Sequence, residues 1–204
     1  MLASMPTLYN HQNIAQVEMK KIEDSSRGGI LADEAGMGKT LTMCTFLKKN
    51  KIEGMTDLII CPFSILKTWE RELESINNTD DNETIKVLIY HGPKRIIESG
   101  FFDYIITTYS IVSTGELSGG TFGRIVLDES HCIKNGLKSN GPKCAKEAYR
   151  LSKKSLFNWC ITATPFNNRI SDLASQAHFI GTIPYNSNTW WKYNKNNSVA
   201  INEW

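Results

Sequence analysis

One short segment of the sequence contains the residue types that phosphate chemistry needs. The segment DEAGMGKT spans residues 33–40 and follows an apolar run. Gly36 and Gly38 would free the backbone to turn N–H groups toward phosphate oxygens at the start of a helix. Lys39 would then reach the β- and γ-phosphates, and the Thr40 hydroxyl would be a magnesium ligand. The segment therefore predicts a phosphate-binding loop.

One position departs from the general pattern of such loops, which is G-x-x-x-x-G-K-[ST]. Asp33 stands where that pattern has its first glycine. Taken alone, the segment leaves a second interpretation open, in which a helix N-terminus contains G-x-G-K-T by chance.

A second segment, RIVLDESH at residues 124–131, provides acidic groups. Asp128 and Glu129 follow an apolar run, where a magnesium ligand and a water-orienting base are needed beside a phosphate loop. An isolated Asp–Glu pair more often lies in a solvated loop or caps a helix. Because a phosphate loop precedes it in the same chain, the pair indicates a nucleotide site.

The elements that position these segments follow from the pattern of apolar runs. Branched apolar runs bounded by turn residues are typical of strands buried on both faces. Helical patterns lie between several of them, such as residues 65–76 and 144–151, and residues 39–49 are a plausible helix after the phosphate loop. The sequence thus predicts an α/β fold with a mostly parallel central sheet and helices on both faces. The predicted strands are residues 29–33, 57–61, 86–90, 103–108, 124–128 and 159–164.

Ligands of such sheets bind beyond the carboxyl ends of the strands, where both segments are expected. A third segment, WCITATPFNN at residues 159–168, also follows a strand. Its Thr162 and Thr164 could connect the acidic strand end to other surfaces, although an ordinary strand-to-turn exit would look the same.

Length and composition set the broad class. A chain of 204 residues with 41% apolar residues is long enough for one globular core. The formal net charge of +2 is near neutral, so a nucleic-acid contact would need a local patch. Five cysteines without a C-x-x-C pair favour core thiols in a reducing compartment over zinc or disulfides. No secretion signal or membrane span is evident, so an intracellular protein is expected.

Three stretches have the composition of loops or of a partner surface. The acidic residues 77–84 and the glycine-rich residues 113–123 are expected to be exposed connections. Residues 184–204 combine asparagines with Trp190, Trp191, Tyr193 and Trp204, which indicates either packing back on the domain or a surface for a partner.

The motifs, in this order, resemble one family. GGILADEAGMGKTLT, LIICPFSILKTWERELE, DYIITTYSIV, RIVLDESHCIKN and CITATPFNN are similar to motifs I, Ia, Ib, II and III of the Swi/Snf-type superfamily-two helicase-like ATPases, which are double-stranded DNA translocases. The branch with helicase-like transcription factor and related repair translocases is the most similar. In that family the phosphate loop reads D-E-x-G-x-G-K-T, so the resemblance explains Asp33. It extends from about Leu8 to about Ile183.

The resemblance implies roles for individual residues, with ATP and Mg²⁺ as cofactors. LYNHQ is similar to the Q motif, which would give Gln12 to the adenine edge; without the family, Gln12 would be interpreted as a surface residue. His131, Thr162 and Thr164 match coupling positions. Catalytic roles fall to Glu129, Asp128 and Lys39, and metal binding to Thr40 and Asp128. The implied cofactor-binding residues are Gln12, Asp33, Glu34, Gly36, Met37, Gly38, Lys39, Thr40 and Leu41.

Double-stranded DNA is the implied macromolecular partner. Motifs Ia and Ib of the family line a groove for the DNA backbone, and hydroxyl and amide groups suit phosphate contacts. A solvated helix face is an equally good interpretation for Lys67. Basic residues at 138, 143, 146, 150, 153 and 154 could add to this surface or form the wet side of a helix. The implied DNA-binding residues are Ser64, Lys67, Thr107, Thr108, Lys134 and Asn135.

Two small departures from the family leave the chemistry plausible. The family usually has alanine where Ser130 stands, and T-G-T-P where residues 162–165 read T-A-T-P. The motifs stop at III, and the family's arginine that approaches the γ-phosphate has no counterpart in these residues, since Arg169 is the one arginine in the stretch after Pro165 and no arginine-rich helix follows. We therefore expect residues 1–183 to be an N-terminal RecA-like lobe and residues 184–204 to lead toward a second lobe, in cis or in trans.

The expected function is the ATP-binding lobe of a DNA-dependent ATPase on duplex DNA, acting in chromatin remodelling, repair or viral transcription. Alone it should bind ATP·Mg²⁺ weakly and hydrolyse it barely. Its location would be the nucleus of a eukaryotic cell, or a virus factory or virion if the source is viral. A nucleotide-gated scaffold without turnover is the main alternative. A GTPase or small-molecule kinase is disfavoured because no N-K-x-D element is present.

Overall fold

A computed structural model gives the architecture for residues 6–77, 84–93, 95, 100–165 and 173–194. Its helices and strands alternate along most of the chain, as the apolar pattern predicts. The strands are β1 Ile30–Leu31, β2 Asp57–Cys61, β3 Val87–Tyr90, β4 Tyr104–Thr108, β5 Phe122–Asp128 and β6 Ser155–Ile161. The helices are α1 Asn10–Ser25, α2 Lys39–Lys49, α3 Phe63–Asn77, α4 Tyr109–Val112, α5 Lys143–Ser152, α6 Leu173–Ile180 and α7 Asn188–Asn194, with a 3₁₀ turn at Ser130–Ile133.

The strands form a single six-stranded sheet in the order β1-β6-β5-β2-β4-β3. Every neighbouring pair is parallel, and Ile59 of β2 lies between Ile106 of β4 and Val126 of β5. The predicted fold class is therefore confirmed. All strand carboxyl ends lie at one edge, which we call the carboxyl edge.

Alternating side chains of the sheet build one core on each face. Leu58 and Ile60 belong to a cluster with α4, α5 and α6, whereas Ile59 and Cys61 belong to a cluster with α1, α2 and α3. This alternation follows from the period of two in a strand. Cys44, Cys61 and Cys160 are buried, which confirms the core-thiol interpretation for these three.

The strand predictions were wrong in extent mainly at β1, β5 and β6. β1 covers only Ile30–Leu31 instead of residues 29–33. β5 begins at Phe122, inside the stretch expected to be a loop, and β6 runs from Ser155 to Ile161 rather than over residues 159–164. The two strands pair from Phe122 opposite Ser155 onward. Their backbone hydrogen bonds therefore continue past the apolar runs that the prediction used.

The part of the C-terminal segment that the structure describes packs back on the domain. Trp191 of α7 is buried against Leu173, Ala174 and Ala177 of α6. Its indole N–H donates to the carbonyl of Tyr185 at 2.6 Å. Outside the described residues lie 195–204, including Trp204, and residues 78–83 of the acidic loop that was predicted at 77–84.

Candidate nucleotide-binding site

The predicted nucleotide residues meet at the carboxyl edge. The phosphate loop follows β1, the Asp128–Glu129 pair ends β5, and Thr162 follows β6, which lies between those two strands. The amide N–H of Thr162 donates to the carbonyl of Leu31 at 3.2 Å, which ties the ends of β6 and β1 together. The phosphate loop and the Asp128–Glu129 pair are far apart in the sequence. In the sheet, only β6 separates β1 from β5, so both segments lie near each other at the carboxyl edge.

The loop before α2 has the backbone that its glycines were predicted to allow. Gly36 and Gly38 have positive φ angles of 84° and 74°. A Cβ atom on Gly36 would meet nothing within 4 Å, so the space beside this residue is open. The Lys39 ammonium donates to the carbonyls of Asp33 at 2.7 Å and Glu34 at 2.8 Å. The lysine therefore lies across the loop at the start of α2.

Gln12 lies beneath this loop and is buried, so the interpretation of Gln12 as a surface residue is wrong. Its Nε2 donates to the Gly38 carbonyl at 3.2 Å, and its Oε1 accepts from the Tyr9 backbone N–H at 2.9 Å. A Cβ atom on Gly38 would lie 2.6 Å from Gln12 Nε2, so this approach requires glycine. The contact of Gln12 with an adenine edge stays a prediction.

The other predicted loop residues surround this contact. A ring nitrogen of His11 lies 3.2 Å from the Met37 carbonyl, and Met37 and Glu34 are exposed. Thr40 and Leu41 are half-buried in the first turn of α2. The Asp33 carboxyl atom Oδ2 is buried without a hydrogen-bond partner among the described residues.

Asp128 is held in a fixed orientation at the end of β5. Its Oδ2 accepts from the Trp69 indole N–H at 2.8 Å, and its Oδ1 accepts from the Glu129 backbone N–H at 2.8 Å. The Tyr109 hydroxyl donates to its backbone carbonyl at 2.7 Å. Burial raises the pKa of Asp128 above its ordinary value, while the Trp69 hydrogen bond and the positive charge of Lys39 lower it. A nearby cation would therefore favour the ionised form.

Glu129 follows in a conformation that non-glycine residues rarely adopt. Its φ angle is 50°, in the left-handed region. Its carboxylate atom Oε2 lies 3.1 Å from Nδ1 of His131, and both side chains are well exposed at 40% and 47%. The carboxylate is thus open to solvent, as a water-orienting base must be.

The loops that follow β5 and β6 are connected by hydrogen bonds. The Ser130 hydroxyl donates to Gln176 Oε1 at 3.0 Å, and Gln176 Nε2 donates to the Pro165 carbonyl at 2.6 Å. The Thr164 N–H donates to the Thr162 hydroxyl at 3.1 Å. The coupling role of His131, Thr162 and Thr164 stays a prediction.

The predicted DNA-contact residues differ in accessibility. Ser64 and Lys67 are exposed on the first turns of α3, and Lys67 pairs with Glu70 at 3.5 Å. Thr107 is fully buried and its hydroxyl donates to the Tyr90 carbonyl at 2.8 Å. A DNA role for Thr107 would therefore be indirect.

The remaining predicted DNA contacts lie near the ends of β4 and the 3₁₀ turn. Thr108 is 2% exposed and its hydroxyl lies 3.2 Å from a ring nitrogen of His91 and 2.9 Å from the Ser110 hydroxyl. Lys134 is half-buried and Asn135 is exposed with a φ angle of 61°. Both line an open pocket of about 350 Å³ together with Lys138 and Asn140. A DNA role for these residues stays a prediction.

Sequence reasoning missed three residues that orient the acidic segment. The helical pattern over residues 65–76 includes Trp69 but gives it no role in the site, and the motifs give none to Tyr109 or Gln176. For Trp69 a signal existed, because a buried indole N–H needs an acceptor. Tyr109 and Gln176 gave no comparable signal, since their partners are known only from the packing.

The donor set at the carboxyl edge fits a magnesium–nucleotide ligand. Magnesium is usually bound by one or two carboxylates together with phosphate oxygens and waters, and Asp128 and Thr40 supply oxygens of the suitable kind. Within the described ranges, no group of three or more His, Cys, Asp or Glu residues could hold a metal ion. A site that is completed by a polyphosphate does not need such a group.

A parallel sheet with a G-x-G-K-T loop after one strand and an Asp–Glu pair after another is typical of a RecA-like ATPase lobe. The family follows from comparison with known proteins. The chain belongs to the SNF2-related domain family, which it matches over residues 9–202. It is thus a helicase-like ATPase domain at the level of the family.

Two relatives and one solved structure illustrate this membership. DNA repair protein RAD5B of Arabidopsis thaliana is 31% identical over 221 residues, which cover 87% of this chain and 16% of that protein. A probable global transactivator of Orgyia pseudotsugata multicapsid polyhedrosis virus is 31% identical over 210 residues, covering 95% of this chain and 40% of that protein. The Sulfolobus solfataricus SWI2/SNF2 ATPase core in complex with dsDNA has a TM-score of 0.78 at 28% identity, covering 98% of this chain and 42% of that one.

These comparisons confirm the family resemblance read from the motifs. The chain spans 16% of the plant relative and 40% of the viral one, so most of each relative has no counterpart here. In the part of the chain that the structure describes, no helix has the length and apolarity that a membrane crossing requires.

Proposed function

We propose that this domain binds ATP and Mg²⁺ between the phosphate loop and the Asp128–Glu129 pair. The observation that supports the proposal best is the common location of both segments at the carboxyl edge, separated only by β6. Burial raises the pKa of Asp128, and the positive charge of Lys39 is one of the influences that lower it. Membership of the SNF2-related domain family supports the same assignment.

Each residue has a defined task in this proposal. Lys39 now donates to two neutral carbonyls, and phosphate oxygens are stronger acceptors for an ammonium group. Thr40 and Asp128 would hold Mg²⁺, which when bound neutralises charge that develops on the phosphates. Glu129 would orient the attacking water and accept its proton. Gln12 would hold the adenine while remaining close to Gly38.

We further propose that the complete protein couples hydrolysis to movement on duplex DNA. The exposed groups near the carboxyl edge, Ser64, Lys67 and Asn135, would contact the DNA backbone. A second RecA-like lobe would supply an arginine to the γ-phosphate, and such an arginine is worth roughly 10³ to 10⁵ in rate. The relatives act in DNA repair or transactivation by their names, so the nucleus or a viral factory is the proposed place of action.

The test measures ATP·Mg²⁺ binding by calorimetry and ATP hydrolysis with and without duplex DNA. Wild-type chain should bind ATP·Mg²⁺ and hydrolyse it very slowly, and Lys39→Ala should lose binding. Lys20→Ala, which removes an exposed lysine of α1 that pairs with Asp24, is the matched control and should bind as wild type does.

Two results would contradict parts of the proposal. Equal ATP binding by wild type and Lys39→Ala would remove the phosphate loop from the site. DNA-stimulated turnover of several per second by this chain alone would show that no second lobe is required. If a longer protein that contains both lobes bound ATP without DNA-stimulated hydrolysis, the scaffold alternative would be favoured.

A further inference from the structure

Gln176 joins the two loops that flank the proposed hydrolysis site. It lies on α6 and is 2% exposed, and Ser130 is fully buried. Its amide accepts from the Ser130 hydroxyl at 3.0 Å and donates to the Pro165 carbonyl at 2.6 Å. Ser130 immediately follows Glu129, and Pro165 belongs to the loop after β6. One side chain therefore connects α6 with both loops.

The orientation of the Gln176 amide is fixed by its partners. A backbone carbonyl can only accept, so the NH₂ group must face Pro165 and the oxygen must face Ser130. A flipped amide would place two acceptor oxygens against each other. The Ser130 hydroxyl must consequently donate to Gln176, and an alanine at position 130 could not make this bond.

The bond to Ser130 acts on a strained part of the backbone. Glu129 has a φ angle of 50°, and such conformations persist only where the surroundings hold them. Two hydrogen bonds form within this turn: Glu129 N–H to Asp128 Oδ1 at 2.8 Å and Cys132 N–H to the Glu129 carbonyl at 2.9 Å. Two more hold it from other elements: the Tyr109 hydroxyl donates to the Asp128 carbonyl on one side of Glu129, and Ser130 bonds to Gln176 on the other.

We propose that Gln176 is a positioning residue for ATP hydrolysis, which holds Glu129 in its left-handed conformation through Ser130 and aligns it with the loop after β6. This inference rests on the proposed function of Glu129 as the water-orienting base. Without the bond, Glu129 relaxes toward negative φ and its carboxylate turns away from the phosphate loop. The nucleotide contacts of Lys39 and Gln12 are unaffected, because neither residue touches Gln176.

The experiment compares Gln176→Leu, Ser130→Ala and the double variant with wild type. Single-turnover hydrolysis, with the chain in excess over labelled ATP, measures slow chemistry, and calorimetry measures ATP·Mg²⁺ affinity. Gln176→Leu should slow hydrolysis by about tenfold to a hundredfold, the scale of a small misplacement of a catalytic group. The ATP·Mg²⁺ affinity should stay within about twofold, because the phosphate loop is intact. Ser130→Ala removes one oxygen atom and should slow hydrolysis with little effect on folding.

The double variant tests whether the two residues act through one another. If they do, Ser130→Ala adds little further loss to Gln176→Leu, because the bond is already absent. Asn158→Leu is the matched control: Asn158 is also a fully buried amide, and it donates to the Ile180 carbonyl of α6 at 3.4 Å without touching Ser130. This control should lower the melting temperature and leave the rate of hydrolysis near that of wild type.

The outcomes separate this inference from the proposed function. If the wild-type chain did not bind ATP·Mg²⁺, the proposed function itself would be overturned. Normal binding and hydrolysis by wild type, with an unchanged rate in folded Gln176→Leu or Ser130→Ala, would overturn the positioning role alone. Strictly additive rate losses in the double variant would also overturn it.

Discussion

Replacement of Asp57 by asparagine should remove a large part of the pH dependence of folding stability. Asp57 lies at the start of β2 and shares the guanidinium of Arg124 with Glu23 of α1, all three being buried. The Glu23 pair is bidentate, with distances of 2.7 and 2.8 Å, whereas Arg124 Nη1 lies 3.5 Å from Asp57. One positive charge thus faces two carboxylates, and the group carries a net negative charge when both are ionised.

Burial raises the pKa of Asp57 to about 7, although Arg124 opposes the shift. The folded protein therefore binds a proton that the unfolded chain, with an aspartate pKa near 4, releases. This proton stabilises the fold at low pH, and its contribution is lost as the pH rises through 7. Integration of the linkage relation from pH 5 to pH 8 gives a loss of about 2 to 3 kcal/mol in the free energy of unfolding.

The assay is urea unfolding of wild type and Asp57→Asn at several values between pH 5 and pH 8. Asparagine imitates the neutral carboxyl group and can still accept the Arg124 backbone N–H, which donates to Asp57 at 2.7 Å. Every other ionisable group is common to both proteins, so its effect cancels in the difference. The stability of wild type relative to the variant should fall by about 2 to 3 kcal/mol over this range. A difference that stays constant with pH would show that Asp57 remains ionised throughout and would refute the reasoning.

Two further predictions concern the site itself. Trp69→Phe removes the donor to Asp128 and should lower the free energy of unfolding by about 1 to 3 kcal/mol. Because the pKa of Asp128 then rises further, the pH below which ATP·Mg²⁺ affinity is lost should also rise. The control Trp159→Phe removes a donor to Glu23 and should leave the pH dependence of ATP·Mg²⁺ binding unchanged. If wild type, Trp69→Phe and Trp159→Phe all showed the same pH dependence of binding, the role of Trp69 would be contradicted. Gly38→Ala should cost about 1 kcal/mol more than Gly36→Ala in urea unfolding, because only the former displaces Gln12 from its bond. The excess should vanish in a Gln12→Ala background, and its persistence there would contradict the clash.

Much of the fold was predictable because the central strands are continuous apolar runs. β2 was predicted with its exact ends, and so was α2, since a glycine precedes it and lysines end it. Strand ends that depend on a neighbour could not be predicted in this way. β6 begins at Ser155 because β5 pairs with it there, whereas the polar Asn158 interrupts the apolar run that starts at Trp159 in the prediction.

The candidate site was predictable where chemistry is encoded by spacing along the chain. The glycines, Lys39 and Thr40 are adjacent in sequence, and the Asp128–Glu129 pair ends a recognisable strand. The residues that orient these groups come from other elements. Trp69 reaches Asp128 from α3 and Gln176 reaches Ser130 from α6, and such contacts depend on how the helices pack.

The two ends of α1 help to explain how the domain maintains a strained site. Glu23, near the C-terminal end, is fixed by Arg124 and by the Trp159 indole N–H at 2.9 Å. Gln12, near the N-terminal end, bonds to Gly38 in the phosphate loop. A helix of 16 residues is about 24 Å long, so α1 joins the buried charges at the start of β5 to the loop near the carboxyl edge.

Strained backbone persists only when the surrounding structure over-determines it. At the carboxyl edge Gly36 and Gly38 have positive φ angles, and so does Glu129, for which the conformation is costly. The contacts that hold these residues come from α1, α3 and α6, each of which is anchored in a core on one face of the sheet. Most side chains of the site are half-buried or exposed. The free energy that stabilises the conformation of the site therefore comes from the burial of apolar side chains in the two cores.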